Sequence, residues 1–455
     1  MKKVDLTKDD ITKSLIKLSL PIIATNFIQT AYGMIDMLWI GRLGSDAVAA
    51  IGTASFFINL AMAIFTIVSI GTGVKISHSI GRGREKESKT YIQNGIILTS
   101  FIGLIYTIFL FIFNKQLISF YKLGNYVDFM AQKYLLISAI GIIFMFFNTL
   151  LTSILNSYGD SKLPFKANVI GFIFNIILDP ILIFGIGIIK PLGVVGAALA
   201  TLIARIIVFL MFIKMSKGKL KVFEDKFNFD KDKCLSVIKL GLPITMQRVI
   251  FTLISMSIAK LVSDYGAIAI AVQRVGIQIE SISYVTIGGL QGAIAAFVGQ
   301  NYGAMKKDRI KEGYYKALKL TIVFGISVTL LFIVFSKQIF GIFLSDNESL
   351  IMGSTYMKIL GLSQVFMCIE LLTVGAFNGI GKTYAPPIIS VTFTALRIPI
   401  AIFLSNISFL KLNGIWISIS ISSFFKGVLL LSWFLIDMNK LTFNYNIKKE
   451  IERNV

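Results

Sequence analysis

The chain has 455 residues, 55% hydrophobic and only 15% charged, with a formal net charge of +21. A soluble globular chain carries about a quarter charged residues, so this composition excludes water as the solvent of most of the surface. Two cysteines and one histidine exclude a disulfide framework and a metal cluster.

Apolar runs recur along the chain, with cores such as 96–113, 169–189 (broken by Asp179) and 320–335. They match the roughly 20 helical residues that a bilayer core demands. They do not alternate in polarity as the strands of a membrane barrel do. In chain order the predicted spans lie near 14–39, 46–77, 91–113, 128–156, 165–188, 193–214, 236–262, 267–299, 317–336, 351–380, 385–405 and 414–437. The fold class is therefore an all-α polytopic membrane protein of twelve transmembrane helices. Sorted by side of these spans, Lys and Arg number about 27 on one face and about six on the other. The positive-inside rule makes the rich side cytoplasmic and both termini internal. The basicity is topology and predicts no nucleic-acid partner. Cys234 and Cys368 fall on the inner side or in the membrane, and Cys234 in the basic linker is expected to take a thiol label only from inside.

The first span follows a charged lead, Lys2 to Lys17, without a small-residue cleavage site, so no removable leader is expected. Pro21 opens this span, and an in-helix proline removes a backbone bond and kinks the helix. Gln29, Tyr32 and Asp36 are spaced to share one helix face. Asn148 and Thr152 in the fourth span are polar positions suited to a substrate chamber. In the fifth, Asn175 stands one turn before Asp179, and Thr201 lies in the sixth. A carboxylate inside a span costs roughly 2.5–3.5 kcal/mol on insertion scales, which makes it a functional candidate by default. Two carboxylates in a low-dielectric pocket do not both ionise cheaply, so such a pair is able to hold or release a proton. With Asn175 and Thr201 the same oxygens suit Na⁺. The competing reading pairs Asp179 with Arg205, one turn beyond Thr201.

After a polar linker the chain starts again, at an offset of about 222 residues. Lys17-Leu18-Ser19-Leu20-Pro21-Ile22 returns as Lys239-Leu240-Gly241-Leu242-Pro243-Ile244, and Gly44, Ala47 and Ala49 as Gly266, Ala269 and Ala271. Two pseudo-symmetric six-helix lobes follow, related by an axis along the membrane normal. The boundaries are a cytoplasmic segment 1–13, an N-lobe 14–216, a linker 217–235, a C-lobe 236–437 and a cytoplasmic tail 438–455. The partners of Asp36 and Asp179 in the second copy are Ile258 and Ile398, so one lobe alone carries the pair. Glu280 and Glu370 are the second-lobe candidates, read as ion-paired, with Arg274 and Arg397 available.

The string LSLPIIATNFIQTAYGMIDMLWIGRLGSDAVAAIG and its partner LGLPITMQRVIFTLISMSIAKLVSDYGAIAIA resemble the multidrug and toxic compound extrusion (MATE) family. So do RVGIQIES from Arg274, VGQNYGA from Val298, NIILDPILIFG from Asn175 and GAALAT from Gly196. The resemblance runs from about Lys13 to about Asp437 and implies a MATE-like pair of six-helix lobes. It implies an antiporter of the bacterial cell membrane that exports cationic amphipathic compounds in exchange for H⁺ or Na⁺. Such a protein needs no cofactor, meets only small organic cations and membrane lipid, and works as a monomer. Asp36, Asn175, Asp179 and Thr201 match the family's first-lobe cation site, and Pro21 its bending proline. The family's acid in the seventh helix has no match, since Phe251 stands there. The alternative is a flippase for a lipid-linked saccharide precursor, which shares the wider fold. Enzyme motifs such as HExxH and GxSxG are absent from the sequence.

Overall fold

The computed structural model describes residues 5–187, 190–216, 228–344 and 346–440, and every regular element among them is an α-helix. Most of the linker (217–227) and the tail beyond 440 lie outside the described residues. The helices are α1 Ile11–Gly41, α2 Ser45–Gly81, α3 Glu85–Ser119, α4 Asn125–Ser157, α5 Lys162–Phe184, α6 Val194–Ser216, α7 Lys231–Ser263 and α8 Ala267–Gly303. Then follow α9 Lys307–Val334, α10 Ser336–Phe340, α11 Asn347–Gly361, α12 Gln364–Ile380, α13 Ala385–Ala395, α14 Arg397–Ser405 and α15 Leu412–Lys440. Among the described residues eleven helical stretches are long and apolar enough to cross a membrane, and α11 with α12 forms a bent pair that makes a twelfth if it is one span.

The duplication is written into the backbone. Gly44 (φ 103°) and Gly266 (φ 96°) turn the chain into α2 and α8, a left-handed conformation that glycine adopts without steric cost. At the other end of those helices Gly83 (φ 73°) answers to Met305 (φ 57°). Arg84 N then donates to Ser79 O and Lys306 N to Asn301 O, each at 2.9 Å. Gly159 and Gly381 share a φ of 80°. These matches hold although few side chains agree, because turn geometry constrains backbone more than composition.

The tenth span is not the single helix read over 351–380. It bends by 48° between α11 and α12. A break inside a membrane leaves carbonyls that must find other donors. Thr329 Oγ1 donates to Gly361 O (2.8 Å), Ser363 Oγ to Leu360 O (2.9 Å) and Ser420 Oγ to Ile359 O (2.9 Å). In the first copy Thr107 Oγ1 donates to Ala139 O (3.0 Å) inside an unbroken α4. The eleventh span is also cut, at Leu396. Pro399 causes this, since it has no N–H for the Ala395 carbonyl.

The chain packs as two compact units: Leu20–Ile80 with Arg84–Gly241, and Asp5–Ser19 with Gly81–Gly83 and Leu242 onward. The first unit's core includes a stacked Phe65–Phe146 pair (4.4 Å). The second is built around Tyr356, Trp416 and Ile258. α1 therefore changes units beside Pro21, and α7 beside Pro243. Each early segment is anchored by a buried asparagine. Asn301 Nδ2 donates to Leu6 O (3.0 Å), which also accepts from Arg309 Nε (3.2 Å). Asn94 Nδ2 donates to Asn228 O (3.1 Å) and its Oδ1 accepts from Asp230 N (2.9 Å). Gly71 lies against the Val237 carbonyl and Gly241 against the Ile67 carbonyl, so α2 and the start of α7 meet backbone to backbone. Cys234 sits in that segment, buried, with its Sγ 3.2 Å from Asn94 Oδ1. The expected label-accessible linker cysteine is thus a packed one.

Candidate functional site

Gln29, Tyr32 and Asp36 descend one side of α1 toward its Gly41 end. Asp36 stands five residues from that end. Asn175 and Asp179 occupy one face of α5 and are fully buried. α6 comes close because Gly196 abuts the Leu182 carbonyl and Gly171 abuts the Val208 side chain. A Cβ at Gly171 would also lie 3.0 Å from Tyr32 Oη, so this glycine makes room for α1.

The structure brings the four first-unit cation candidates together. Thr201 Oγ1 donates to Asp36 Oδ2 (3.4 Å), and Asn175 Nδ2 to Asp179 Oδ1 (3.3 Å). The charges of Asp36 and Asp179 act directly on each other. Asp36 Oδ1, Asn175 Oδ1 and Asp179 Oδ2 are buried oxygens with no hydrogen-bond partner among the described residues. An unpaired buried acceptor costs about 1–3 kcal/mol. Here three of them accompany two carboxylates, an all-oxygen donor set that suits a proton or a hard cation. Arg205 is not the ion-pair partner of Asp179: among the described residues no carboxylate lies within 4.0 Å of it, and its charge reaches Asp36 only through space.

The substrate candidates divide. Tyr32 is half-buried, its ring 5.2 Å from that of Phe172, and Gln29 is exposed. Asn148 Nδ2 is committed to the Arg205 carbonyl (2.9 Å), and Thr152 Oγ1 donates back to Asn148 O (2.8 Å). Those two polar groups tie α4 to α6 and to itself.

In the second unit Glu370 is paired, but with Lys426 (2.8 Å) rather than with Arg274 or Arg397, and Ser390 Oγ donates to its other oxygen (2.9 Å). Sequence reasoning missed Lys426, although a lone lysine in the middle of the last apolar run was a visible signal. Arg397 Nε donates to Ser422 Oγ (2.6 Å). Glu280 accepts from Tyr356 Oη (2.9 Å) and feels Arg397 at longer range.

The MatE family model matches the chain twice, over residues 21–181 and 243–403, which is the internal duplication seen from outside. A probable multidrug resistance protein NorM of Thermotoga maritima is 27% identical over 94% of this chain and 92% of its own length. A probable multidrug resistance protein YoeA of Bacillus subtilis is also 27% identical, over 90% of each. The crystal structure of MATE in the straight conformation superimposes with a TM-score of 0.88 at 23% identity, covering 99% of each chain.

Proposed function

Since the chain belongs to the MatE family of multidrug efflux transporters and is no enzyme, we propose that it exports cationic amphipathic organic compounds in exchange for H⁺ or Na⁺ bound at Asp36 and Asp179. The observation that carries this reading is the cluster of Asp36, Asn175, Asp179 and Thr201, with three buried, unsatisfied oxygens and, among the described residues, no ion-paired cation. Binding of the cation there favours one conformation over another, and its differential affinity sets the driving force delivered to export. Tyr32 and Gln29 extend the same face of α1 and are the positions assigned to substrate.

The membrane is the bacterial plasma membrane, with both termini cytoplasmic as the lysine-rich loops dictate, and the working unit is the monomer. A flippase needs several cations converging on pyrophosphate, whereas Lys426 is held by Glu370 and Arg397 by Ser422. The test is efflux of a fluorescent organic cation from proteoliposomes with pH and Na⁺ gradients imposed separately. Acceleration by one gradient and its loss in Asp36→Asn are expected. Transport indifferent to both gradients overturns the reading.

A further inference from the structure

Two segments of the second unit meet at their N-terminal ends, the start of α1 and the start of α9. Arg309 ties them: its Nε donates to Leu6 O (3.2 Å) and its Nη2 to Asp9 O, while Lys306 Nζ donates to Thr7 O (2.9 Å). The charges of Lys316, Lys13 and Arg309 all act on Asp10, so the Asp10 side of the segment is the one turned to α9. Lys13 and Lys17 follow Asp10 at three and seven residues and share that side. Both are exposed, as is Ile16. From the Asp9–Arg309 contact, Lys17 lies about 12 Å along α1 and Lys319 about 15 Å along α9, at 1.5 Å per residue. The two lysines therefore stand at similar depth.

Lys319 heads the outward stripe of α9. Val323, Ile326, Leu330 and Val334 follow it at helical spacing, all exposed and apolar. No charge occurs from Leu320 to Phe335. About 20 residues, the length of a bilayer core, counted back from Phe335 reach Lys316. Lys319 thus stands about 4.5 Å inside the hydrocarbon edge and must carry its ammonium back to the headgroups. The ammonium groups of Lys17 and Lys319 have no hydrogen bond or ion pair among the described residues, whereas Lys316 holds Glu312 (2.7 Å). Topology alone does not require this cluster, since the first copy lacks it. At the 222-residue offset Lys13, Lys316 and Lys319 become Leu235, Asn94 and Ile97, and only Lys17 keeps its charge, as Lys239. Asn94 is itself spent on Asn228 and Asp230.

We propose that the crevice between the start of α1 and α9 binds one anionic phospholipid. Lys17 and Lys319 take its phosphate, Lys13 stands at the rim, and an acyl chain lies along Val323, Ile326 and Leu330. Each basic residue beside an anionic lipid strengthens binding roughly fivefold, so the pair contributes a factor of about thirty. The bound lipid adds a second tie between α1 and α9 beside that of Arg309.

Native mass spectrometry of the full chain in detergent, titrated with dioleoyl phosphatidylglycerol or dioleoyl phosphatidylcholine, tests this. The first phosphatidylglycerol should bind about tenfold more tightly than the first phosphatidylcholine, or better. In the double variant Lys17→Gln with Lys319→Gln its Kd should rise by about tenfold or more, with phosphatidylcholine binding unchanged. The corresponding pair of Arg substitutions should keep the affinity, and Lys239→Gln, at the matching place in the other copy, should not alter it. Equal binding of the two lipids by the unmutated chain overturns the proposal, as does a loss in Lys239→Gln equal to that in the double variant. Glycerol 3-phosphate, the same phosphate without chains, should not displace the lipid at equal concentration; displacement marks a free-phosphate site and overturns the lipid. Without added lipid the double variant should match the unmutated chain in Tm, and phosphatidylglycerol should raise the Tm of the unmutated chain alone.

Discussion

Each unit buries acid in its helices, but the two treat it differently. In the second unit Glu370 is matched by Lys426 at 2.8 Å, with a serine hydroxyl on its remaining oxygen. In the first, Asp36 and Asp179 face each other with one hydroxyl and one amide between them, and three oxygens remain unsatisfied. Desolvating an ion costs several kcal/mol, which a well-placed partner offsets. The paired acid has its compensation inside the protein; the unpaired acids have none among the described residues, and the proposed exporter reading assigns that part to the exchanged cation. Burial alone therefore does not mark a functional carboxylate, and the state of its counter-charge does. Duplication supplies the control, because Ile258 and Ile398 stand where the second copy would carry the same acids.

The contrast breaks most decisively at the first unit. Asp36→Asn and Asp179→Asn should each abolish gradient-driven uptake into inverted vesicles at normal membrane abundance, and the double variant should be no worse, because members of one functional unit are non-additive. Robust coupled transport by Asp36→Asn would move the cation site elsewhere. Next in size is Lys426→Met, which strands Glu370 and should cost about 3–5 kcal/mol, read as a lowered Tm in detergent. Adding Glu370→Gln should return much of that loss, which no change at the Asp36 pair would do. Gly71→Ala drives a methyl into the Val237 carbonyl and should cost about 1–3 kcal/mol as overpacking does, again visible in Tm. Glu280→Gln keeps a carbonyl to accept from Tyr356, so transport should fall far less than in Asp36→Asn. Equal loss would reverse the assignment of roles between the units.

The smallest effect lies outside the membrane at the start of α11. Asp346 accepts from Ser349 N at 2.8 Å, and this backbone bond holds its carboxyl below the usual value of 3.8. A depressed folded value means the cap stabilises above the unfolded pKa and is lost as pH falls through the folded one. Asp346→Ala should lower Tm slightly at pH 7, and the difference from the unmutated chain should close at strongly acid pH.

Span number, the repeat and the four polar residues of the first unit were legible because long apolar runs, turn glycines and intramembrane acids are local signals. The bend between Gly361 and Gln364 was not. Apolar character continues through it, and what permits it are hydroxyls of Thr329 and Ser420 from other helices. Lys426 was visible as a charge but not as the partner of Glu370, because that pairing spans three helices of sequence. Cys234 read as linker because the basic composition runs on into the first turns of α7. Arg205 read as a partner for Asp179 because spacing along α6 says nothing of where a long side chain turns.

The anchoring of Leu6 by Asn301 has a consequence for how the protein is made. The two residues are 295 apart in sequence, and a ribosome adding about 5–20 residues per second needs roughly 15–60 s to cover that interval. Throughout that time Asp5–Ser19 must wait, since it belongs with the unit that is translated later. The first unit waits in turn for Lys231–Gly241, which emerges only after the linker. The first half is incomplete when its own six spans have been inserted, whereas the second finds its extra segment already made. Separately expressed halves cut between Ser216 and Asn228 would each lack a piece of helix that the other one carries.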